Sequence, residues 1–298
     1  MLVSTAVTTP EGRLYRCPRC FLGQRIPIPD VAVVEAMYRE LPEGGLQYQV
    51  DLNTAWALAR DVLELDLSRF PAPAILDVGC YDGQFLRSVP PAWRRFGLEP
   101  SRRAADVARQ AGVEILGPSL RALDQHRNFD AVCLFDVLEH VRNPAEELRL
   151  ALMALKPGGL LIASTADMDS WTWRWAATTH WYLETPQHVS FASRRFFRWF
   201  AAQAGAPIER SARIPHQRGG WSQRLDDAVN VFYFGSIGRR EHWRLARGLI
   251  RRIPRWRGFV HTSNMATASR LRDHVIVVMR RPTLGAQTGG VVAQETGL

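Results

Sequence analysis

The segment Ala74-Ile-Leu-Asp-Val-Gly-Cys-Tyr-Asp-Gly83 constrains this chain more than any other. A short run of apolar, β-prone residues bounded by a turn is what a strand covered on both faces requires. Asp77 stands near the end of that run. Gly79 and Gly83 flank a tight loop, and Gln84-Phe-Leu-Arg87 opens a helix. A strand, a glycine loop and a helix in that order bring backbone close to a nucleotide-like ligand.

Three further blocks follow. Phe96-Gly-Leu-Glu99-Pro-Ser comes about 22 residues after Asp77 and reads as a second strand ending in an acid. A carboxylate there can accept two hydrogen bonds from a ribose diol. Phe129-Asp-Ala-Val-Cys-Leu-Phe-Asp-Val-Leu-Glu-His140 is a third apolar strand running into a helix. Leu155-Lys-Pro-Gly-Gly-Leu-Leu-Ile-Ala-Ser-Thr165 supplies a helix stop, a Gly-Gly turn and another buried strand. The pattern predicts strands near 74–78, 95–99, 113–117, 129–135 and 159–165 with helices between them. Helix 193–204, strand 207–213 and a last strand 273–280 follow. Such alternation builds a parallel sheet covered on both faces. Gly79-x-x-x-Gly83 is not the G-x-G-x-x-G of nicotinamide-binding folds, and Leu-Lys-Pro-Gly-Gly has no role there.

In this order and spacing the four blocks resemble the class I S-adenosylmethionine-dependent methyltransferases over roughly residues 74–205 and the last strand. The resemblance implies a doubly wound, seven-stranded, mostly parallel α/β sheet whose last strand runs antiparallel and inserts between its neighbours. It implies S-adenosylmethionine as cofactor. Asp77, Gly79, Cys80, Tyr81 and Gly83 would surround the methionine portion, Glu99 the ribose, Ser119 and Leu120 the adenine. Phe135 and Asp136 would line cofactor and acceptor. Tyr81 stands where the family usually has a third glycine. Glu139 and His140 are shared with a large branch of the family, in which some members hold a metal with acids and a histidine here. No further ligands at suitable spacing are visible in the sequence, so no metal is expected. The aromatic run Trp171–Tyr182 leads to Pro186-Gln-His188-Val-Ser-Phe, which resembles the family's substrate-side histidine block. His188 is the candidate general base, since an oxygen or nitrogen acceptor loses a proton as it gains a methyl. The aromatic run is either a wall for a sugar or apolar ring or a hydrophobic cover.

Residues 1–12 read as a loose terminus, and 1–45 form an appendage carrying a single Cys17-x-x-Cys20, half of what a four-ligand zinc site needs. Residues 46–213 form the core, led by a helix within 47–70. Residues 214–271 are too long for a hairpin between the last two strands and are expected to form a helical cap, with helices at 221–237 and 241–252. Residues 272–283 hold the last core strand, and 284–298 read as a disordered tail. The net charge is +9 and Lys156 is the only lysine. Between Arg218 and Arg257 ten arginines face only Asp226, Asp227 and Glu241. That excess suits a solvated helical face, an anionic membrane surface or nucleic acid, and no recognised RNA-binding module accompanies it. No 18-residue apolar run and no signal peptide are apparent, and the cysteines do not form a disulfide pattern, so a cytoplasmic setting is expected. The functional expectation is methyl transfer to a small molecule or a glycan or lipid-linked sugar. The alternative is a catalytically silent cofactor-binding subunit that docks to membrane or RNA.

Overall fold

A computed structural model describes residues 3–9, 12–28, 52–123, 128–237, 243–257 and 266–283. The appendage beyond residue 28, residues 46–51 at the front of the expected core and the tail lie outside the described residues.

The chain begins with strands β1 (Val3–Thr9), β2 (Gly12–Arg16) and β3 (Gly23–Ile26). These pair antiparallel in sequence order, and β3 pairs with the two-residue strand Ser190–Phe191 far along the chain. Residues 3–9 are therefore strand, not the loose terminus that their composition suggests. Alternation was too brief to reveal this, because the pairing partners lie partly outside the segment. Cys17 and Cys20 sit on the turn between β2 and β3, where Phe21 N–H donates to Cys17 O at 2.9 Å. Both are free thiols, and among the described residues no third potential ligand joins them.

Helix α1 (Thr54–Leu67) starts at Asn53, whose side chain accepts from Trp56 N–H at 3.1 Å. It buries Ala55, Trp56, Ala59, Leu63 and Leu67 on one face. Then follow β4 (Ala74–Val78), α2 (Gln84–Arg87), β5 (Arg94–Leu98), α3 (Arg102–Gln110), β6 (Glu114–Gly117), β7 (Phe129–Phe135), α4 (Pro144–Ala154) and β8 (Leu155–Ala166). After β8 come α5 (Trp171–Ala176), β9 (Ser190–Phe191), α6 (Arg194–Ala204), β10 (Ile208–Ile214), α7 (Trp221–Gly235), α8 (Trp243–Arg252), α9 (Pro254–Arg257) and β11 (His274–Arg280).

Seven strands form the main sheet in the order β10-β11-β8-β7-β4-β5-β6. β4 pairs parallel with β5 and β7, β5 with β6, and β7 with β8. β11 is antiparallel to both neighbours, the arrangement that the resemblance implies. Successive residues of each strand face opposite sides. Leu76, Val132, Leu161 and Val277 pack on one face with α4 and α6; Ile75, Cys133, Ile162 and Val278 pack on the other with α1 and Phe85. All five residues of β4 are buried. β8 begins at Leu155, four residues before the expected strand, because Leu-Lys-Pro-Gly-Gly is itself a bulge. Phe129 pairs with Leu155, but Ala131 pairs with Leu160. The only lysine, Lys156, donates to Asp130 at 2.8 Å, whose other oxygen accepts Ala74 N–H at 2.8 Å.

The chain leaves β4 toward β5 and β6, then crosses back to β7. The order therefore reverses between β4 and β7, and the crevice outside the carboxyl ends of these strands is where doubly wound sheets bind ligands.

Candidate active site

The loop after β4 is shaped by its own backbone. Gly79 and Gly83 adopt φ of 70° and 79°, and a Cβ on either would come within 2.9 Å of a valine methyl, on Val137 and Val113 respectively. Tyr81 also lies in the left-handed region, at φ 50°. This is the position where the family usually has glycine, so the backbone keeps the unusual conformation although the side chain differs. Two contacts hold it there. Gly79 and Cys80 N–H both donate to Leu98 O, at 2.8 and 3.1 Å. Tyr81 N–H donates to Glu99 Oε2 at 2.9 Å, while Ser101 N–H donates to Oε1 at 2.8 Å. Glu99 thus ties the loops after β4 and β5 together, and each of its oxygens keeps a lone pair for a ribose hydroxyl.

The electrostatics of this half suit a cationic ligand. Burial, and then the charge of Glu99, push the Asp77 carboxyl well above its ordinary range. Burial also raises Glu99, against the two backbone N–H groups that lower it. Two desolvated carboxyls, one of them further disfavoured by the other's charge, gain from a positive charge beside them. The Cys80 thiol is buried and raised, so it is inert wall rather than nucleophile. Ser119 precedes a single 3₁₀ turn beyond β6 and Leu120 is buried in that turn, at the same sheet edge as Glu99. Phe135 turns its ring into the core, edge-on to Phe85 at 4.6 Å.

The other half of the edge gathers histidines and acids. Asp136, at φ 53°, leaves β7 with its N–H on Ser164 O at 3.0 Å. Its Oδ2 is 3.2 Å from His216 Nε2, and its Oδ1 is 3.9 Å from His274 Nε2. Burial raises Asp136, but His216, His274 and His140 outweigh it and hold the carboxyl low. Glu139 is fully buried. Thr165 Oγ1 donates to its Oε2 at 2.9 Å and Tyr182 O–H donates to its Oε1. Burial and the Asp136 charge push Glu139 up to about 8. His188 lies against the same group. Its Nδ1 is 2.7 Å from Tyr182 O, and its ring is 4.8 Å from that of His140. A carbonyl only accepts, so Nδ1 carries the proton and Nε2 the lone pair. Burial and the neighbouring His140 hold His188 well below its ordinary value, and burial lowers His140 to about 4.

The structure therefore brings together Asp77, Gly79, Cys80, Tyr81, Gly83 and Glu99 on one side, and Asp136, Glu139, His140 and His188 on the other. Sequence reasoning missed His216 and His274. One is a lone histidine after a strand, the other the first residue of an apolar strand, and only their arrival at the same sheet edge signals a site. The aromatic run divides. Trp173 is buried, stacked on His180 at 4.4 Å, and Trp175 stacks on Phe232 of α7 at 5.7 Å. Trp181 and Tyr182 instead reach the histidines, with Trp181 stacked on His274 at 6.0 Å and Tyr182 against His188 at 4.1 Å; Trp181 Nε1 also donates to Asp273 Oδ2 at 3.0 Å. Several arginines of the 214–271 segment are internal braces, with Arg255 on Asp226 at 2.7 Å and Arg251 Nε on Tyr233 Oη at 2.8 Å.

The family model described as a methyltransferase domain matches residues 48–210. The chain belongs to that family. It is 30% identical over 152 residues to the ubiquinone biosynthesis O-methyltransferase of Alkalilimnicola ehrlichii, an alignment covering 48% of this chain and 60% of that one. The chain spans 32% to 60% of the length of the first curated relatives it matches. Among solved structures, the [4+2]-cyclase SpnF superposes with a TM-score of 0.52 at 18% identity, covering 87% of this chain and 99% of that one. The YcgJ protein from Bacillus subtilis gives 0.51 at 13% identity, covering 78% and 99%. At these identities the likeness is one of fold. S-adenosylmethionine is this family's cofactor, and the buried Asp77, the left-handed glycines and the doubly engaged Glu99 fit its cationic methionine end and its ribose.

Proposed function

We propose that the protein transfers a methyl group from S-adenosylmethionine to a nucleophilic oxygen or nitrogen of a small molecule or a glycan or lipid-linked sugar. The observation that carries this reading is the left-handed Gly79–Gly83 loop, fastened by Glu99, whose carboxyl and that of Asp77 are both desolvated, in a chain of this family. The cofactor supplies a methyl group already activated on a sulfonium. The chain's own residues then have three tasks. Asp77 and the loop backbone bind and orient the donor. Glu99 fixes its ribose end. Asp136, with the Trp181–Tyr182 wall, positions the acceptor and excludes water. His188 is a weak proton acceptor in this setting, because burial disfavours its charged form. We therefore assign most of the rate to alignment and desolvation. Calorimetric titration with S-adenosylhomocysteine tests the reading: micromolar binding supports it, whereas no binding to folded protein favours a fold that has lost its ligand.

A second reading concerns where the acceptor is met. Trp221, Leu245 and Leu249 are 88%, 79% and 61% exposed on α7 and α8, and α8 with α9 carries six arginines and no acid. Such a surface suits an anionic bilayer. Among the described residues no helix is long and apolar enough to cross a membrane. Sedimentation with anionic vesicles, lost in a Leu245→Ser/Leu249→Ser variant, tests peripheral contact.

A further inference from the structure

We propose that Asp136, His216 and His274 form a binding site for a divalent first-row transition cation. The inference goes beyond methyl transfer and does not rest on it. The three groups come from the end of β7, the segment after β10 and the first residue of β11. Their potential ligand atoms all lie within 4.8 Å of one another. Two imidazoles and one carboxylate are a donor set that suits such cations, with positions left open for other ligands.

The decisive detail is the orientation of His274. Its side chain is only 2% exposed, and its Nδ1 is 2.9 Å from Asp273 Oδ1. Asp273 in turn accepts Trp181 Nε1–H at 3.0 Å. A carboxylate backing a histidine in this way places the proton on Nδ1 and leaves Nε2 as the donor lone pair, which is how outer-sphere groups prepare a metal ligand. Among the described residues, neither Nε2 nor Asp136 Oδ1 has a hydrogen-bond partner. These two atoms stand 3.9 Å apart, too far for an N–H···O bond. Two acceptors facing each other in a desolvated place call for a cation. Ligand distances of about 2.0–2.2 Å put neighbouring donors roughly 3–3.5 Å apart; His216 already stands 3.2 Å from one Asp136 oxygen, and the other pairs, at 3.9 Å and within 4.8 Å, close around the ion. Cation binding displaces to solvent the proton that His216 Nε2 shares with Asp136 Oδ2, and no redox step is needed.

The adjacent group of Glu139, His140 and His188 also lies within that reach, but both Glu139 oxygens already accept hydroxyl protons.

The test is titration of chelator-stripped full-length protein with Co²⁺ alone, followed by visible absorption, with S-adenosylhomocysteine titrated in parallel. The expected result is one equivalent of Co²⁺, with His216→Ala and His274→Ala each weakening it by about 100-fold or more. Asp273→Asn should weaken it by about 10–100-fold, and Cys17→Ser/Cys20→Ser should leave it unchanged. No stoichiometric uptake by protein that binds S-adenosylhomocysteine overturns the proposal. So does uptake that both histidine variants retain at full affinity while still binding S-adenosylhomocysteine. Co²⁺ bound with no S-adenosylhomocysteine binding sustains the cation site and counts against methyl transfer.

Discussion

The two halves of the ligand edge are built in opposite ways. Beneath β4 and β5 the groups that hold the loops come from residues 77–101, and the contacts are mostly backbone: Leu98 O takes two N–H groups and Glu99 takes two more. Beneath β7, β8 and β11 the groups are side chains from Asp136, Glu139, Thr165, Tyr182, His188, His216 and His274, which meet only when the whole sheet is assembled. The first half is shaped by local conformation. The second is shaped by tertiary packing and carries most of this edge's perturbed titrations. A site on this plan holds one ligand class by a stiff local frame, while the dispersed half is where a partner molecule can be chosen.

That contrast can be broken most decisively at Gly79. A side chain there meets Val137 and strains a φ of 70°, so Gly79→Val should weaken S-adenosylhomocysteine by about 100-fold or more, through loss of loop shape. Undiminished affinity by calorimetry would mean that the local frame is not the binding frame. Glu99→Ala removes the acceptor of two N–H groups and the ribose partner, and should cost roughly 1–3 kcal/mol of the same affinity. His188→Ala, in the dispersed half, should leave that affinity intact.

The dispersed half should show itself in pH instead. His180 is fully buried, and burial lowers it to about 4. The folded protein therefore binds this proton less readily than the unfolded chain. Its contribution is full above about pH 6.5 and is lost as pH falls toward 4, by at most about 3 kcal/mol. Urea unfolding at pH 7 and pH 4.5 should differ less in His180→Gln than in the parent. Glu139 has the opposite sign. Its carboxyl is raised to about 8, so its contribution is full below about pH 4.5 and fades as pH rises through 8. The melting temperature should fall between pH 6 and 9, and Glu139→Gln should flatten that fall, a difference of at most about 3 kcal/mol. An unchanged slope would place the proton elsewhere in the cluster.

What could be read from the sequence follows the same division. The strand at 74–78, the loop after it and Glu99 rest on short-range pattern and ordered blocks, and the antiparallel direction of the last strand on the family resemblance. Gly97 escaped notice, although a side chain there would collide with the Cys80 sulfur, because a glycine inside a strand reveals its reason only when its neighbour is known. His216 and His274 escaped for a related cause: 58 residues separate them, yet their rings stack at 4.7 Å. The short sheet of β1, β2, β3 and β9 escaped because β9 lies about 165 residues from its partner β3.

The place of β11 between β8 and β10 has a consequence for how the molecule is made. Both neighbours leave the ribosome well before residues 274–280, and until those arrive each presents an open ladder of backbone groups. Non-local pairing of this kind is slow. The nascent chain must therefore keep two sticky edges apart through about 60 residues of arginine-rich insertion, whose mutual charge repulsion discourages neighbouring chains from meeting at those edges.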